Sequence, residues 1–348
     1  MKNRISTRVA VILGGESAEH DISLLTGQAV INALAHTTCT VFPVTITRNG
    51  TWLVPDSDGG TVSTSEAVSP AEGLVRLAAL VPDVVFIALH GPNGEDGTLQ
   101  GALEILHLPY TGSGVMASSL ANDKLRTKEL LEKHGLLVCR HVVVEKRRYQ
   151  SQQDAVLNEI RQTLRFPVFV KPVHQGSSVG AGVANDQSDL ERLLATALSH
   201  DSDALVEELL IGRELTVPVI DDVVTGQPRC LPLVEIRPIG HDFFDYTAKY
   251  TAGHNEEICP APLPDTISAQ AASIGLAAHR AIGCRGVSRT DVMLTDRGIY
   301  VIEVNTLPGL TEESLLPKAA SQAGIEFVDL VLGLIECGIG AAKNKNLS

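Results

Sequence analysis

The sequence predicts a mixed α/β and α+β protein, with a doubly wound α/β unit first and antiparallel-rich α+β units after it. Three stretches carry that expectation. Residues 8–13 (RVAVIL) are continuously apolar, as in a strand buried on both faces, and a Gly-Gly break then leads into helical spacing over residues 23–34. Residues 166–171 (FPVFVK) run into the Gly/Ser stretch HQGSSVGAG and resume an extended pattern at Val183, giving strand–loop–strand. Residues 287–294 and 299–304 are apolar, β-branched runs on either side of Asp296-Arg297-Gly298, a β-hairpin signature.

The 348 residues suggest two domains or three small ones, and 44% hydrophobic with 20% charged residues is ordinary globular composition. A formal charge of −13 excludes a nucleic-acid or anionic-membrane surface as the main partner. Lys146-Arg147-Arg148, a short basic run, reads as a solvated loop. Six scattered cysteines without a CxxC exclude a zinc site or a disulfide framework and point to a reducing compartment. The apolar run at residues 9–13 is too short for a signal-peptide core and no stretch approaches a membrane span, so a cytoplasmic location is expected.

Taken in order, the first strand ends in Gly14-Gly15-Glu16-Ser17, which is not GxGxxG, so a dinucleotide fingerprint is missing. Glu19, His20 and Asp21 follow at the strand's carboxyl end, where open α/β sheets bind ligands; they equally suit a helix start, whose dipole favours acids. Residues 41–47 and 81–89 are further strands. The second runs into His90, a Gly-rich loop over 91–97 and a helix over 98–106, a setting for anions or for a structural histidine. Residues 113–135 read as one long helix containing Asn122-Asp123-Lys124, and residues 146–154 as a polar linker.

The loop 174–182 can present successive backbone N–H groups to phosphates beside Lys171. Its GSSVG also matches the hydrolase GxSxG elbow, but no helix follows the serine, which excludes that chemistry. Residues 204–210 are extended, with Glu207 and Glu208 among apolar neighbours, and 214–220 and 231–236 are strands. Residues 241–264 are polar, aromatic-bearing and aperiodic, the look of a functional lid, with Lys249 and Tyr250 as its candidate contacts. His254-Asn255-Glu256-Glu257 within it reads as solvated loop rather than a metal cluster. A helix over 268–282 leads to the hairpin, and the chain is helical from 319.

In the hairpin, a three-residue loop pairs Thr295 with Ile299, which sets Asp291 opposite Glu303 and Arg289 opposite Asn305. Strand alternation then puts all four on one face. Two carboxylates, a carboxamide and a guanidinium are costly to bury without partners. Mg²⁺, which takes hard oxygen ligands, is one partner; the alternative is a polar-faced edge pair with a surface salt bridge.

The stretches GGESAEHDIS, ALHGPNGEDGTLQG, GSGVMASSLANDKLRTK, VKPVHQGSSVGAG, DYTAKY, GCRGVSRTDVML and NTLPGLTEESLLP run almost end to end. Their order and spacing resemble the D-alanine–D-alanine ligase family of ATP-grasp carboxylate–amine ligases. The resemblance implies an ATP-grasp fold: an N-terminal Rossmann-like (pre-ATP-grasp) substrate domain over 1–121, a central subdomain over 122–213, and a C-terminal subdomain over 214–348 with the lid loop 241–264 and the metal site. It implies ATP as co-substrate with two Mg²⁺ (or Mn²⁺) ions, a homodimer, and a role in peptidoglycan precursor synthesis. Lys124 and Lys171 would bind phosphates, and Glu207, Leu210 and Glu214 would line the adenine and ribose pocket. Asp291, Glu303 and Asn305 would hold metal. Glu19 would pair with the first D-alanine's ammonium, His90 would stand near its carboxylate, and Ser314 and Leu315 would receive the second carboxylate. Arg289 and the Gly309 N–H would hold the oxyanion. Ser177 and Tyr250 would close the site through Glu19, with Lys249 reaching the γ-phosphate.

Lys249-Tyr250 favours an amine over D-lactate as acceptor, while D-serine differs from D-alanine by only one hydroxyl. Glu312-Glu313 departs from the small or polar residues expected beside Ser314 and would weaken acceptor binding if those carboxylates faced it. Other readings are a ligase with a different acceptor and an inactive ATP-binding regulatory protein; the presence of Arg289, Asp291, Glu303 and Asn305 argues against loss of chemistry.

Overall fold

The computed structural model describes residues 6–56, 66–176, 179–238 and 255–345. Strands β1 (Arg8–Gly14), β2 (Thr40–Ile46), β3 (Trp52–Leu53) and β4 (Val84–Ile87) form a first sheet in the order β3-β2-β1-β4, with β1 parallel to both β2 and β4. Helix α1 (His20–Leu34) follows β1, and α2 (Pro70–Ala79) and α3 (Thr98–Ile105) complete this unit. The apolar run of β1 divides by alternation: Ala10 and Ile12 pack with Trp52, Leu77 and Leu103, whereas Val9 and Val11 face the other way. Burial on both faces is why the strand reads as apolar without a break.

The single helix expected over 113–135 is two, α4 (Val115–Asn122) and α5 (Lys124–Lys133). Asp123 breaks them with an extended backbone, and its carboxylate accepts from the Arg126 N–H at 2.9 Å, capping α5. After β5 (Leu137–Val138) and β6 (His141–Glu145), the expected linker is instead helical: α6 (Lys146–Ser151) and α7 (Gln153–Thr163). Val156, Leu157 and Ile160 give α7 a buried stripe that the polar residues around it obscure. Then come β7 (Val168–Pro172), β8 (Gly182–Ala184), α8 (Gln187–His200) and β9 (Asp203–Glu208), and the second sheet is antiparallel in the order β6-β9-β7-β8.

The third sheet contains β10 (Arg213–Asp221), β11 (Pro228–Cys230), β12 (Val234–Pro238) and β13 (Asn255–Ile258); after α9 (Asp265–Ile282) it gains β14 (Val287–Thr295) and β15 (Gly298–Asn305). Its order is β13-β12-β10-β14-β15-β5, with β11 on β10. Part of the stretch read as an aperiodic loop is thus an edge strand, β13, pairing antiparallel with β12. Residues 241–254 of that stretch, with Lys249 and Tyr250, lie outside the described residues, as does Ser177.

The β14–β15 turn also differs from expectation. Thr295 pairs with Gly298 and not with Ile299, so the loop is the two residues Asp296-Arg297. A bulge between Asp291/Val292 and their partners then absorbs Ile302 as an extra residue of β15. The tighter turn and the bulge offset each other, and Asp291 faces Glu303 and Arg289 faces Asn305 as the pattern required.

The last helices, α10 (Leu315–Gln322) and α11 (Phe327–Lys345), return to the first sheet. Leu316, Ala319, Leu330, Val331 and Leu334 close over Val9, Val11, Val84 and Phe86. Each such large side chain contributes about 1.5–3 kcal/mol on burial. Arg285 ties the same units together. Its Nε donates to the Gly112 carbonyl at 2.8 Å and its Nη2 to that of Tyr110 at 3.2 Å, with the guanidinium over the Tyr110 ring. All six cysteines are free, and among the described residues no helix is long and apolar enough to cross a membrane.

Candidate active site

One cleft of about 420 Å³ is lined from all three sheets. The first unit contributes Glu19 and His90. The second contributes Phe169 and Lys171, with Lys124 from the start of α5. The third contributes Glu214, Arg289, Asp291, Glu303, Asn305 and Gly309. Ten residues singled out in the sequence therefore meet at one surface.

The third sheet supplies the charged floor. Arg289 grips Asp291 through two donors, Nε to Oδ1 at 2.8 Å and Nη2 to Oδ2 at 2.7 Å, and Asn305 Nδ2 donates to Asp291 Oδ2 at 3.1 Å. Burial opposes the charged guanidinium, but Asp291 outweighs it and holds the Arg289 pKa above its ordinary value. Lys124 approaches the floor from above, with Nζ 4.0 Å from Glu303 Oε2 and donating to the Gln175 carbonyl at 2.7 Å. Burial pulls its pKa below the ordinary lysine value, and the attraction of Glu303 only partly offsets this.

Behind the cleft lies a second cluster. Glu207 is 3% exposed and stands between two lysines, Lys128 Nζ at 3.0 Å from Oε1 and Lys171 Nζ at 3.0 Å from Oε2. Burial favours the neutral acid, yet the two ammonium charges dominate and depress the Glu207 pKa to about 2. Glu207 therefore reaches the cleft only through Lys171. Leu210 is also buried, packed with Cys139 and Met293, while Glu214 lines the opening itself.

The opposite wall is built from turns. His90 is buried, with Nε2 3.0 Å from Thr26 Oγ1 and Nδ1 3.4 Å from Glu95 Oε1; the Ser17 hydroxyl donates to its carbonyl at 2.8 Å. Glu19 precedes α1. Gly91 (φ +74°) lets the histidine loop pass beneath it, because a Cβ there would lie 2.8 Å from Glu19 Oε2. Gly309 gives the same clearance on the far side, where a Cβ would lie 2.8 Å from Ser314 Oγ. The Ser314 hydroxyl accepts from the Thr311 N–H at 3.1 Å, and Ser314 opens α10, with Leu315 as its first residue.

Glu313 is turned outward. Its carboxylate is 3.1 Å from Lys318 Nζ with the side chain 88% exposed, so it adds no uncompensated charge beside Ser314. Lys318 also holds Glu257 of β13 at 2.9 Å. Lys128 and Glu95 escaped the sequence reading, and Glu257, expected in a solvated loop, instead lines the cleft from β13. Lys128 had a usable signal: with Thr127 and Leu131 it falls on the buried stripe of α5.

Among the described residues no three Asp, Glu, His or Cys side chains sit together at metal-holding spacing. Asp291 and Glu303 do face each other, with the Asn305 carboxamide beside Asp291. A carboxylate has about four lone-pair sites, so Arg289 leaves Asp291 with acceptor capacity, and the donor set is hard oxygen throughout. These residues fit a magnesium-type cation.

Family models described as D-ala D-ala ligase N-terminus and C-terminus match residues 8–113 and 130–336. A D-alanine--D-alanine ligase from Syntrophotalea carbinolica is 43% identical, covering 93% of this chain and 93% of its own length. One from Leptospira interrogans is 38% identical over 95% of this chain and 98% of its own. Among solved structures, the Bacillus anthracis D-alanine--D-alanine ligase complexed with ATP superposes with a TM-score of 0.78 at 31% identity, covering 98% of this chain and 99% of that one. The VanG D-Ala:D-Ser ligase from Enterococcus faecalis gives 0.79 at 29% identity, over 95% and 99%. The fold is ATP-grasp, the cleft lies where its three sheets converge, and the chain belongs to the D-alanine–D-alanine ligase family.

Proposed function

We propose that the cleft joins two D-alanines into D-alanyl-D-alanine, driven by ATP through a D-alanyl phosphate, for peptidoglycan precursor synthesis. The observation that supports this most directly is the meeting of Lys124, Lys171 and Arg289 with Asp291, Glu303 and Asn305 on one side of a cleft and Glu19 with His90 on the other. In this reading the chain divides into substrate (1–121), central (122–213) and C-terminal (214–348) units.

Lys124 is a desolvated cation whose partners among the described residues are the Val173 and Gln175 carbonyls and the Glu303 carboxylate at 4.0 Å, and phosphate oxygens would complete its shell. Lys171 would contact the same phosphates, with Leu210 beneath the base and Glu214 towards the ribose. Asp291, Glu303 and Asn305 would hold Mg²⁺, which neutralises charge on the terminal phosphates when bound. Glu19 takes the first substrate's ammonium, and His90, fixed by Thr26 and Glu95, stands beside its carboxylate. That carboxylate attacks the γ-phosphorus, forming an O–P bond as the bond to ADP breaks. The second substrate sits with its carboxylate at Ser314 and Leu315 and, after loss of an ammonium proton, its amine attacks the acyl carbon and phosphate leaves. Arg289 and the Gly309 N–H stabilise the oxyanion of that step. Ser177, Lys249 and Tyr250 complete the closed site and keep water from the acyl phosphate.

The outward turn of Glu313 favours an unimpeded acceptor carboxylate. Incubation with ATP, Mg²⁺ and D-alanine alone should release ADP and phosphate and give D-alanyl-D-alanine by mass. Product only when D-serine or D-lactate is added would reassign the acceptor, and absence of ADP with every acceptor would refute a ligase.

A further inference from the structure

The trio behind the cleft has an asymmetry that suggests how it works. Glu207 divides its two oxygens between Lys128, 1% exposed, and Lys171, which lines the cleft. Lys128 sits on α5 one turn beyond Lys124, its ammonium also 3.2 Å from Cys139 Sγ, and it does not line the cleft. Lys171 therefore has two prospective partners, Glu207 behind and an anion in front, while Lys128 has none in front. A lone buried carboxylate is strongly destabilising, so Glu207 can let Lys171 turn towards an anion only if another cation stays with it.

We propose that Lys128 is a positioning residue for nucleotide binding: it remains on Glu207 as the permanent counter-ion and so frees Lys171 to engage the phosphates. This rests on the ATP reading of the cleft. The charge of the trio is +1 in the native protein, from two lysines and one glutamate. Without the Lys128 charge it is zero, and Lys171 is pinned as the sole partner of Glu207. Removing Glu207 as well restores +1 on a Lys171 with nothing behind it.

The test is steady-state kinetics and calorimetric titration with ATP and Mg²⁺ on the full chain. Lys128→Met should raise KM for ATP about ten- to hundredfold, the loss of one charge-assisted contact, and leave KM for D-alanine within about twofold. Lys128→Gln should give the same loss, which covers a methionine variant that fails to fold. Lys128→Arg should restore ATP binding. The double variant Lys128→Met/Glu207→Gln should recover to within about threefold of the native KM, a rescue that damaged packing would not produce. A Lys128→Gln variant with native ATP affinity, an equal loss for both substrates, or a double variant no better than the single one would overturn the inference alone. A native protein that binds no nucleotide would overturn the cleft reading and this inference with it.

Discussion

Two charge clusters flank the same cleft and are built on different terms. The open one, Arg289–Asp291–Asn305 with Lys124 and Glu303, lines the cleft, where an incoming ligand can reach its carboxylates and its lysine. The sealed one, Lys128–Glu207–Lys171, places both oxygens of one carboxylate on two ammonium groups at 3.0 Å. Both would count as ion-pair networks. The difference teaches that access to the cleft, not the number of contacts, separates the two: the open cluster is placed to meet a ligand, whereas Glu207 and Lys128 hold the face behind it in shape.

If that contrast is right, breaking the sealed cluster should cost stability first. Glu207→Gln leaves two buried lysines without a counter-charge, and a loss of about 3–5 kcal/mol in denaturant unfolding is expected. The pH dependence sharpens this. Because the folded-state pKa of Glu207 is depressed to about 2 from its ordinary 4.5, its stabilisation is fully present above pH 4.5 and disappears as pH falls towards 2. The stability gap between native protein and Glu207→Gln should narrow over that window; a constant gap would contradict the buried ion-pair description.

Breaking the open cluster should cost chemistry instead. Arg289→Ala is expected to lower turnover by at least about a hundredfold while calorimetric ATP affinity stays within a few-fold. Near-native turnover would remove the mechanism. Asn305→Ala should weaken metal-dependent nucleotide binding by roughly tenfold, read as a higher Mg²⁺ requirement with no equal change in the D-alanine KM. At the rim, Glu313→Ala should change stability and KM for D-alanine by little, about 0–1 kcal/mol and within twofold, because its pair with Lys318 is exposed.

The open cluster was legible in the sequence because its residues sit in a hairpin whose alternation is plain, from Arg289 and Asp291 to Glu303 and Asn305. The sealed cluster was half legible. Glu207 stands among apolar neighbours, but only a short buried stripe marks Lys128, whose partner is distant in sequence. The break at Asp123 hid for a related reason: helical spacing continues across it, and only the capping aspartate marks the restart. α7 was masked by the polar residues around three buried ones, and β13 by its acidic composition at a sheet edge. The first sheet was read well because strands buried on both faces leave no ambiguity of period.

The extra residue at Ile302 means that β15 is written in two frames. Up to that point odd-numbered side chains, Ile299 and Val301, enter the core, and beyond it an even-numbered one, Val304, does. Loss of Ile302 would merge the two frames: Val301 and Val304 would still enter the core and Glu303 would still face Asp291, now in an unbroken ladder. An added residue at the same point would instead carry the ladder two positions on and set Glu303 opposite Arg289, so β15 should tolerate shortening at Ile302 better than lengthening, as turnover of the two variants would show.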